Sequence, residues 1–331
     1  MIDKKIVFED GNVYERMMGV WSQIVGKEFI EWLNPTSGQS WIDIGCGTGA
    51  FTAQIAELCS PSQLLGIDQS EHQIEFARKR SMAHSATFQT GDATDLQCEP
   101  SSFDVATMAL VLFFLPDPVL GMTEMKRVVK SEGTLAAYVW DIPGEGLPID
   151  PIHAEFRKRG INYPLPPSSD VSNIDKLEKL WTEEGIQSIE CKQIKVSRSF
   201  KHFDEFWDIN ASVQAVTTVL DALSPQTVTE IRSNIERQLD YDSNGSVIVH
   251  GRANAIKGIV SEMIKKHILI TGGGTGIGRA LAMGFDAKGW QVIIVGGRSE
   301  LLQDVVSQNP DSIREIAADV GKHEDFQIIT S

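Results

Sequence analysis

From Ser40 to Trp140, short apolar runs alternate with segments of helical spacing, and this alternation constrains the fold more than any other feature of the chain. Ser40–Ile44, Gln63–Ile67, Ala86–Thr90, Phe103–Leu110 and Thr134–Trp140 read as strands. Helical patterns over Phe51–Leu58 and Glu71–Lys79 fall between them, as does one carrying Met122, Met125 and Val128–Val129, punctuated by Gly133. Strand, helix, strand in this rhythm predicts parallel pairing through right-handed crossovers. Strands that are apolar throughout predict a sheet covered on both faces. Asp104 reads as a strand-start residue, and the methionine–valine stripe as core packing.

A proline-rich stretch over 142–170 breaks the rhythm and reads as a flexible insertion or lid. Ile186–Phe200 and Ser246–Val260 read as two further strands. Between them a helical segment carries Phe203, Phe206, Trp207 and Ile209, followed later by Ile231–Leu239. A second strand–helix pattern starts at Lys266, with strands His267–Thr271, Gln291–Gly297 and Ile313–Val320 and helices Gly276–Lys288 and Leu301–Gln308. At about 150 residues per domain, 331 residues suggest two domains. The boundaries read as 1–260, with insertions at 142–180 and 200–245, and 264–331.

Charge separates the same two parts. The formal net charge is −15, of which −14 falls in 1–263 and −1 in 264–331. An acidic surface argues against nucleic acid and anionic lipid as partners. The longest nearly continuous apolar run, Val105–Leu115, is too short for a membrane helix, and the N-terminal residues have no signal-peptide pattern. Cys46, Cys59, Cys98 and Cys191 are scattered without a CxxC pair, which predicts no metal site and fits a reducing cytoplasm.

The segment Trp41-Ile-Asp43-Ile-Gly45-Cys46-Gly47-Thr48-Gly49-Ala50 joins a strand to a helix. Its glycines permit a tight turn and close approach of a ligand to the main chain. Gly45, Gly47 and Ala50 also satisfy the pattern of a dinucleotide loop. Charge discriminates between the two ligands. Asp43 would repel a pyrophosphate, whereas it would favour the ammonium and sulfonium of S-adenosylmethionine. Asp68 ends the second strand, where an acid can accept from both ribose hydroxyls. Asp92 follows the third, where a short acid can accept from an adenine amino group. Three acids at the C-terminal ends of consecutive parallel strands line one crevice.

These residues resemble the class I S-adenosylmethionine-dependent methyltransferases of the methyltransferase type 11 kind. Asp43-x-Gly45-x-Gly47-x-Gly49, Asp68, Gly91-Asp92-Ala93, Phe103-Asp104-Val105 and Leu115-Pro116-Asp117 fall in that family's order and spacing, over roughly residues 10–260. The resemblance implies a Rossmann-like α/β fold on a seven-stranded sheet with the last strand antiparallel. It implies that Gly45, Cys46, Gly47, Thr48 and Gly49 cradle the methionine part of the cofactor. Asp68 and Gln69 would serve the ribose, Asp92 and Ala93 the adenine, and main chain near Ala109 the amino group. Tyr14–Trp21 resembles the N-terminal helix that covers the cofactor.

Thr271-Gly272-Gly273-Gly274-Thr275-Gly276-Ile277-Gly278 again joins strand to helix and resembles the cofactor loop of the short-chain dehydrogenases. The resemblance covers 264–331 only. It implies a partial second Rossmann βαβαβ unit, with Gly272, Gly276 and Gly278 in the loop, Arg298 for a 2′-phosphate and hence NADP, and Asp319 in the adenine-contact segment. The family's catalytic serine and Tyr-x-x-x-Lys pair find no room before Ser331, and the first strand, central in that family, is expected to have an unpaired edge. Met263-Ile-Lys-Lys-His267 reads like the start of a dehydrogenase, so the tail reads as a truncated frame.

Methyl transfer from a sulfonium is an in-line displacement in which the protein aligns and desolvates the acceptor, and a general base is optional. The candidates in pocket positions are Tyr14, Asp141, His153 and His202, with Trp21, Phe113, Phe114, Trp140 and Trp207 available to wall an apolar substrate. The expectation is a methyltransferase acting on a small-molecule acceptor, with a tail that has no reductase activity. The alternatives are a bifunctional methyltransferase and NADP-binding protein, or a non-catalytic S-adenosylmethionine-binding regulator.

Overall fold

The computed structural model describes residues 18–80, 85–261, 266–325 and 327. Tyr14 and Met263 lie outside them, as does the start of the Tyr14–Trp21 segment. The chain divides into two compact units, residues 1–261 and 262–331.

In the first unit α1 (Val20–Leu33) leads to β1 (Ser40–Ile44), α2 (Ala50–Cys59), β2 (Gln63–Asp68), α3 (Glu71–Arg78), β3 (Thr87–Thr90) and β4 (Phe103–Ala109). A 3-10 turn at Leu112–Phe114 precedes α4 (Pro118–Val128) and β5 (Val129–Trp140). Then come α5 (Asp150–Lys158), α6 (Ile174–Glu183), β6 (Ile186–Phe200), α7 (Phe203–Ala211), α8 (Gln214–Leu220), α9 (Pro225–Gln238), β7 (Asp240–Tyr241) and β8 (Val247–Val260). The sheet order is β3-β2-β1-β4-β5-β8-β6, with the two-residue β7 added on β8. The pairs among β1 to β5 are parallel, and β8 is antiparallel to both β5 and β6. The α/β sheet expected from the alternation is therefore present, with β7 as an eighth strand.

The order reverses between β1 and β4. Right-handed crossovers then place α2 and α3 on one face and α4 on the other. A crevice forms at this reversal, outside the C-terminal ends of the strands. All five residues of β1 are buried. In the same core Tyr138 of β5 packs on Phe29 and Phe51, with ring centroids 4.9 and 5.6 Å apart, so α1 and α2 share one aromatic contact with β5. Local chemistry starts the helices. The Ser70 hydroxyl accepts from Gln73 N at the head of α3, and Asp117 Oδ1 accepts from Val119 N and Leu120 N ahead of Pro118.

The expected flexible stretch after Trp140 is folded instead. Ile149, Ile152 and Phe156 of this region are buried in the main core. The Ser168 hydroxyl donates to Leu115 O at 2.7 Å, and Asn254 Nδ2 donates to Ser172 O at 2.8 Å. The apolar residues between the prolines supply an inward face that a loop reading overlooks.

In the second unit β9 (His267–Thr271), α10 (Gly276–Asp286), β10 (Gln291–Gly296), α11 (Ser299–Val306) and β11 (Ile313–Ala317) form a parallel sheet of order β11-β10-β9. Among the described residues β9 pairs with β10 alone, leaving the expected open edge. β11 ends three residues before the expected Val320, because Asp319 turns the chain: its Oδ1 accepts from Gly321 N and its carbonyl from Lys322 N. Leu269, Ile277 and Leu281 are exposed in this unit.

Candidate cofactor site

β1 delivers Asp43 to the crevice. Pairing sets it opposite Gly66 of β2 and Thr107 of β4. Its carboxylate is fully buried. Oδ2 accepts from the Thr52 hydroxyl at 2.6 Å and Oδ1 from the Thr107 hydroxyl at 3.3 Å. Burial raises its pKa from 3.8 to about 6 against those two hydroxyls, and the Asp68 charge pushes the same way.

The turn after β1 uses all three glycines in the left-handed region, with φ of +75°, +54° and +76° at Gly45, Gly47 and Gly49. Gly45 N and Cys46 N donate to Ile67 O, at 2.7 and 2.9 Å. Gly47 N donates to Asp68 Oδ2 at 2.9 Å. A Cβ on Gly45 would stand 2.4 Å from a Val111 methyl. The Cys46 thiol is buried, and burial together with the charges of Asp43 and Asp68 raises its pKa well above the ordinary range. A protonated thiol is a poor nucleophile, so Cys46 contributes packing here.

Asp68 is half-buried at the end of β2, and Gln69 beside it is exposed. Asp68 Oδ1 accepts from Ser70 N and Oδ2 from Gly47 N, both at 2.9 Å. A carboxylate offers about four acceptor sites, so roughly two remain for hydroxyls of a ligand. Burial raises its pKa, opposed by the two N–H donors. Asp92 is exposed past β3, where its Oδ1 accepts from Thr94 N and the Thr94 hydroxyl. Ala93 is half-buried against the core. Ala109 closes β4 and lines a cleft with Asp43, Gly45, Cys46, Thr48, Ala50, Phe51 and two positions at the head of α1, Gly19 and Ser22. The next residue, Leu110, has φ +62°, a left-handed non-glycine held by donation of its N–H to Tyr138 O at 2.8 Å. Such strain costs of order 1–2 kcal/mol and gathers at ligand sites.

Asp43, the loop and Ala109 thus line one cleft, Asp68 is tied to it through Gly47 N, Asp92 stands past the end of β3 with Thr94, and the other candidates sit elsewhere. Asp141 is buried in an ion pair with Arg252 Nε at 2.8 Å and also accepts from Gly144 N, which clamps the turn after β5. His202 is exposed and caps α7, with Nδ1 accepting from Glu205 N. His153 is buried on α5, stacked on Tyr163 at 4.2 Å and 3.6 Å from Asp150. Trp21 and Trp140 meet edge-on at 6.2 Å, Phe113 and Phe114 lie 4.5 Å apart, and Trp207 packs on Phe203. A cavity of about 210 Å³ opens at the opposite end of the sheet, lined by Gln39, Val105, Thr134 and Lys257 among others. It lies at strand starts, away from the acids.

Sequence reasoning missed Ser22, Thr52 and Thr107. Only Thr107 left a signal, as a hydroxyl inside an apolar strand. In the second unit Gly272 and Gly276 are left-handed, with φ of +69° and +54°, and a Cβ on Gly278 would stand 2.2 Å from Gly272 O. Arg298 and Asp319 are exposed at the ends of β10 and β11.

Residues 42–137 match the methyltransferase domain family and residues 266–330 the short chain dehydrogenase family. An O-methyltransferase of Pyrenophora dematioidea is 33% identical over 174 residues, covering 51% of this chain and 61% of that protein. The O-methyltransferase cnsE of Penicillium expansum is 30% identical over 169 residues, covering 49% and 57%. The chain therefore spans less than two thirds of the length of these two relatives. The YcgJ protein of Bacillus subtilis shares the fold, with a TM-score of 0.50 at 17% identity, covering 73% of this chain and 99% of that one.

Proposed function

We propose that the first unit of this chain is a class I S-adenosylmethionine-dependent methyltransferase that methylates a small-molecule acceptor by in-line displacement. The observation that carries the reading is Asp43: a fully buried carboxylate at the mouth of the sheet, facing hydroxyls and a second acid. A crevice so charged suits a cationic ligand and opposes a pyrophosphate. The donor set fits S-adenosylmethionine, which supplies a methyl group already activated on a sulfonium. Asp43 would favour the positive end, Asp68 would accept from ribose hydroxyls, and Asp92 would accept from the adenine. The loop Gly45–Gly49 would lie along the methionine part. Alignment and exclusion of water are then the protein's contribution.

The names of the two relatives favour an oxygen nucleophile. Cytoplasmic residence belongs to the same proposal and is supported by four free cysteines. Among the described residues no helix is long and apolar enough to cross a membrane. The test is calorimetric binding of S-adenosylmethionine, followed by an acceptor screen for S-adenosylhomocysteine. Turnover supports methyl transfer. Tight binding without product from any acceptor favours a regulator, and no binding rejects both.

A second reading concerns the tail. Its left-handed glycines and exposed Arg298 favour a nucleotide, and we propose NADP as the ligand, with no reductase activity from residues 266–331 by themselves, which hold no tyrosine. NADPH fluorescence tests it: no change at millimolar concentration ends the reading.

A further inference from the structure

The loop Gly45–Gly49 is anchored from outside at two adjacent residues by groups of opposite charge. Asp68 Oδ2 accepts from Gly47 N at 2.9 Å. On the other side Arg80, just past the end of α3, donates from Nε to Thr48 O at 2.5 Å and from Nη2 to Thr48 Oγ1 at 3.3 Å. Thr48 is 1% exposed and lines the cleft. Its carbonyl sits between Gly47 and Gly49, both left-handed, where the chain has the least conformational restraint of its own. Gly49 O is taken by Ala53 N and Cys46 O by Gly49 N, so helix α2 and the turn hold the neighbouring peptides. The Thr48 carbonyl instead relies on a guanidinium that lies 32 positions away in sequence and carries two donors in a rigid fork.

We infer that Arg80 is a positioning residue for the cofactor loop: together with Asp68 it clamps the Gly47–Thr48 peptides between a cation and an anion and presets the loop for the methionine part of the ligand. The inference rests on the S-adenosylmethionine reading above. Asp68 does two jobs in this arrangement, because the carboxylate that would face the ribose also holds the loop. Arg80 holds the loop at Thr48 and also lies over the Phe76 ring at 5.9 Å, and neither contact involves Asp68, so its removal tests the loop anchor apart from the ribose carboxylate.

The test uses the full-length protein and two ligands, S-adenosylhomocysteine and 5′-methylthioadenosine, the latter lacking the amino-acid part. For Arg80→Met, calorimetry is expected to give about a tenfold loss of S-adenosylhomocysteine affinity, the worth of one charge-assisted contact. Affinity for 5′-methylthioadenosine is expected to stay within about twofold, since Asp68 and Asp92 are retained. Arg80→Lys, which keeps the charge and one reach to Thr48 O, is expected to recover part of the loss. An equal fall for both ligands would reduce Arg80 to a structural role and overturn the inference, as would unchanged S-adenosylhomocysteine affinity. Should Arg80→Met fail to fold, Arg80→Lys with the same two ligands decides, with a selective loss for the longer ligand still required. Wild-type protein that binds neither ligand rejects the methyltransferase reading, whereas wild-type binding with indifferent variants rejects the role of Arg80 alone.

Discussion

At the scale of single residues, two aspartates of one sheet titrate in opposite directions. Asp43 is raised to about 6 by burial. The folded state therefore prefers its protonated form, and the stability it allows is fully present below about 3.8 and lost as pH rises through about 6. Asp43→Asn is expected to stabilise the ligand-free protein by about 1–3 kcal/mol at pH 8 and hardly at all at pH 4. Urea unfolding at both pH values checks this; equal effects at both would contradict it. Asp104 is lowered to about 2, first by the hydrogen bond from Lys130 and then by those from Ser40. Its contribution is present above about 3.8 and lost as pH falls through about 2. Asp104 is partly exposed, so Asp104→Asn is expected to cost only about 1 kcal/mol at pH 7. No loss at pH 7 in the same unfolding assay would remove it as an anchor between β1 and β4.

At the scale of elements, Asp141 and Arg252 tie the turn after β5 to β8. Asp141 N donates to Arg252 O and Arg252 N to Gly146 O, so the ion pair sits inside a small backbone ladder. Asp141→Ala leaves a partly buried guanidinium without its carboxylate and is expected to cost about 1–3 kcal/mol. S-adenosylhomocysteine affinity should stay within about twofold. Preserved stability with lost turnover would instead return Asp141 to the catalytic candidates. The parallel strands and the glycine turn were legible because their signals are local: apolar runs, spacing, and acids at strand ends. The folding of 142–173 was hidden because its buried residues, Ile149, Ile152 and Phe156, are spread among prolines and matter only once the core exists. The partners of Asp43 were hidden for a related reason. Thr107 meets it through strand pairing and Thr52 through the rotation of α2, and neither relation is written in the spacing alone.

At the scale of the whole molecule, the chain joins a complete sheet to a three-stranded one. Every residue that lines the cleft at the glycine loop belongs to residues 1–261. Protein comprising 1–261 is therefore expected to bind S-adenosylhomocysteine within about twofold of the full chain. A larger loss on calorimetry would show that the tail takes part in the site.

The central claim is electrostatic, and proton linkage tests it most directly. If an ionised Asp43 receives the cationic donor, the binding-competent fraction falls about tenfold per pH unit below its raised pKa. Calorimetric titration of S-adenosylmethionine into the wild type is expected to show saturable binding at pH 7.5 and about tenfold weaker binding at pH 5. Asp43→Asn should be weak at both. Binding that ignores pH and the substitution, or a crevice that prefers a diphosphate nucleotide, would contradict the account.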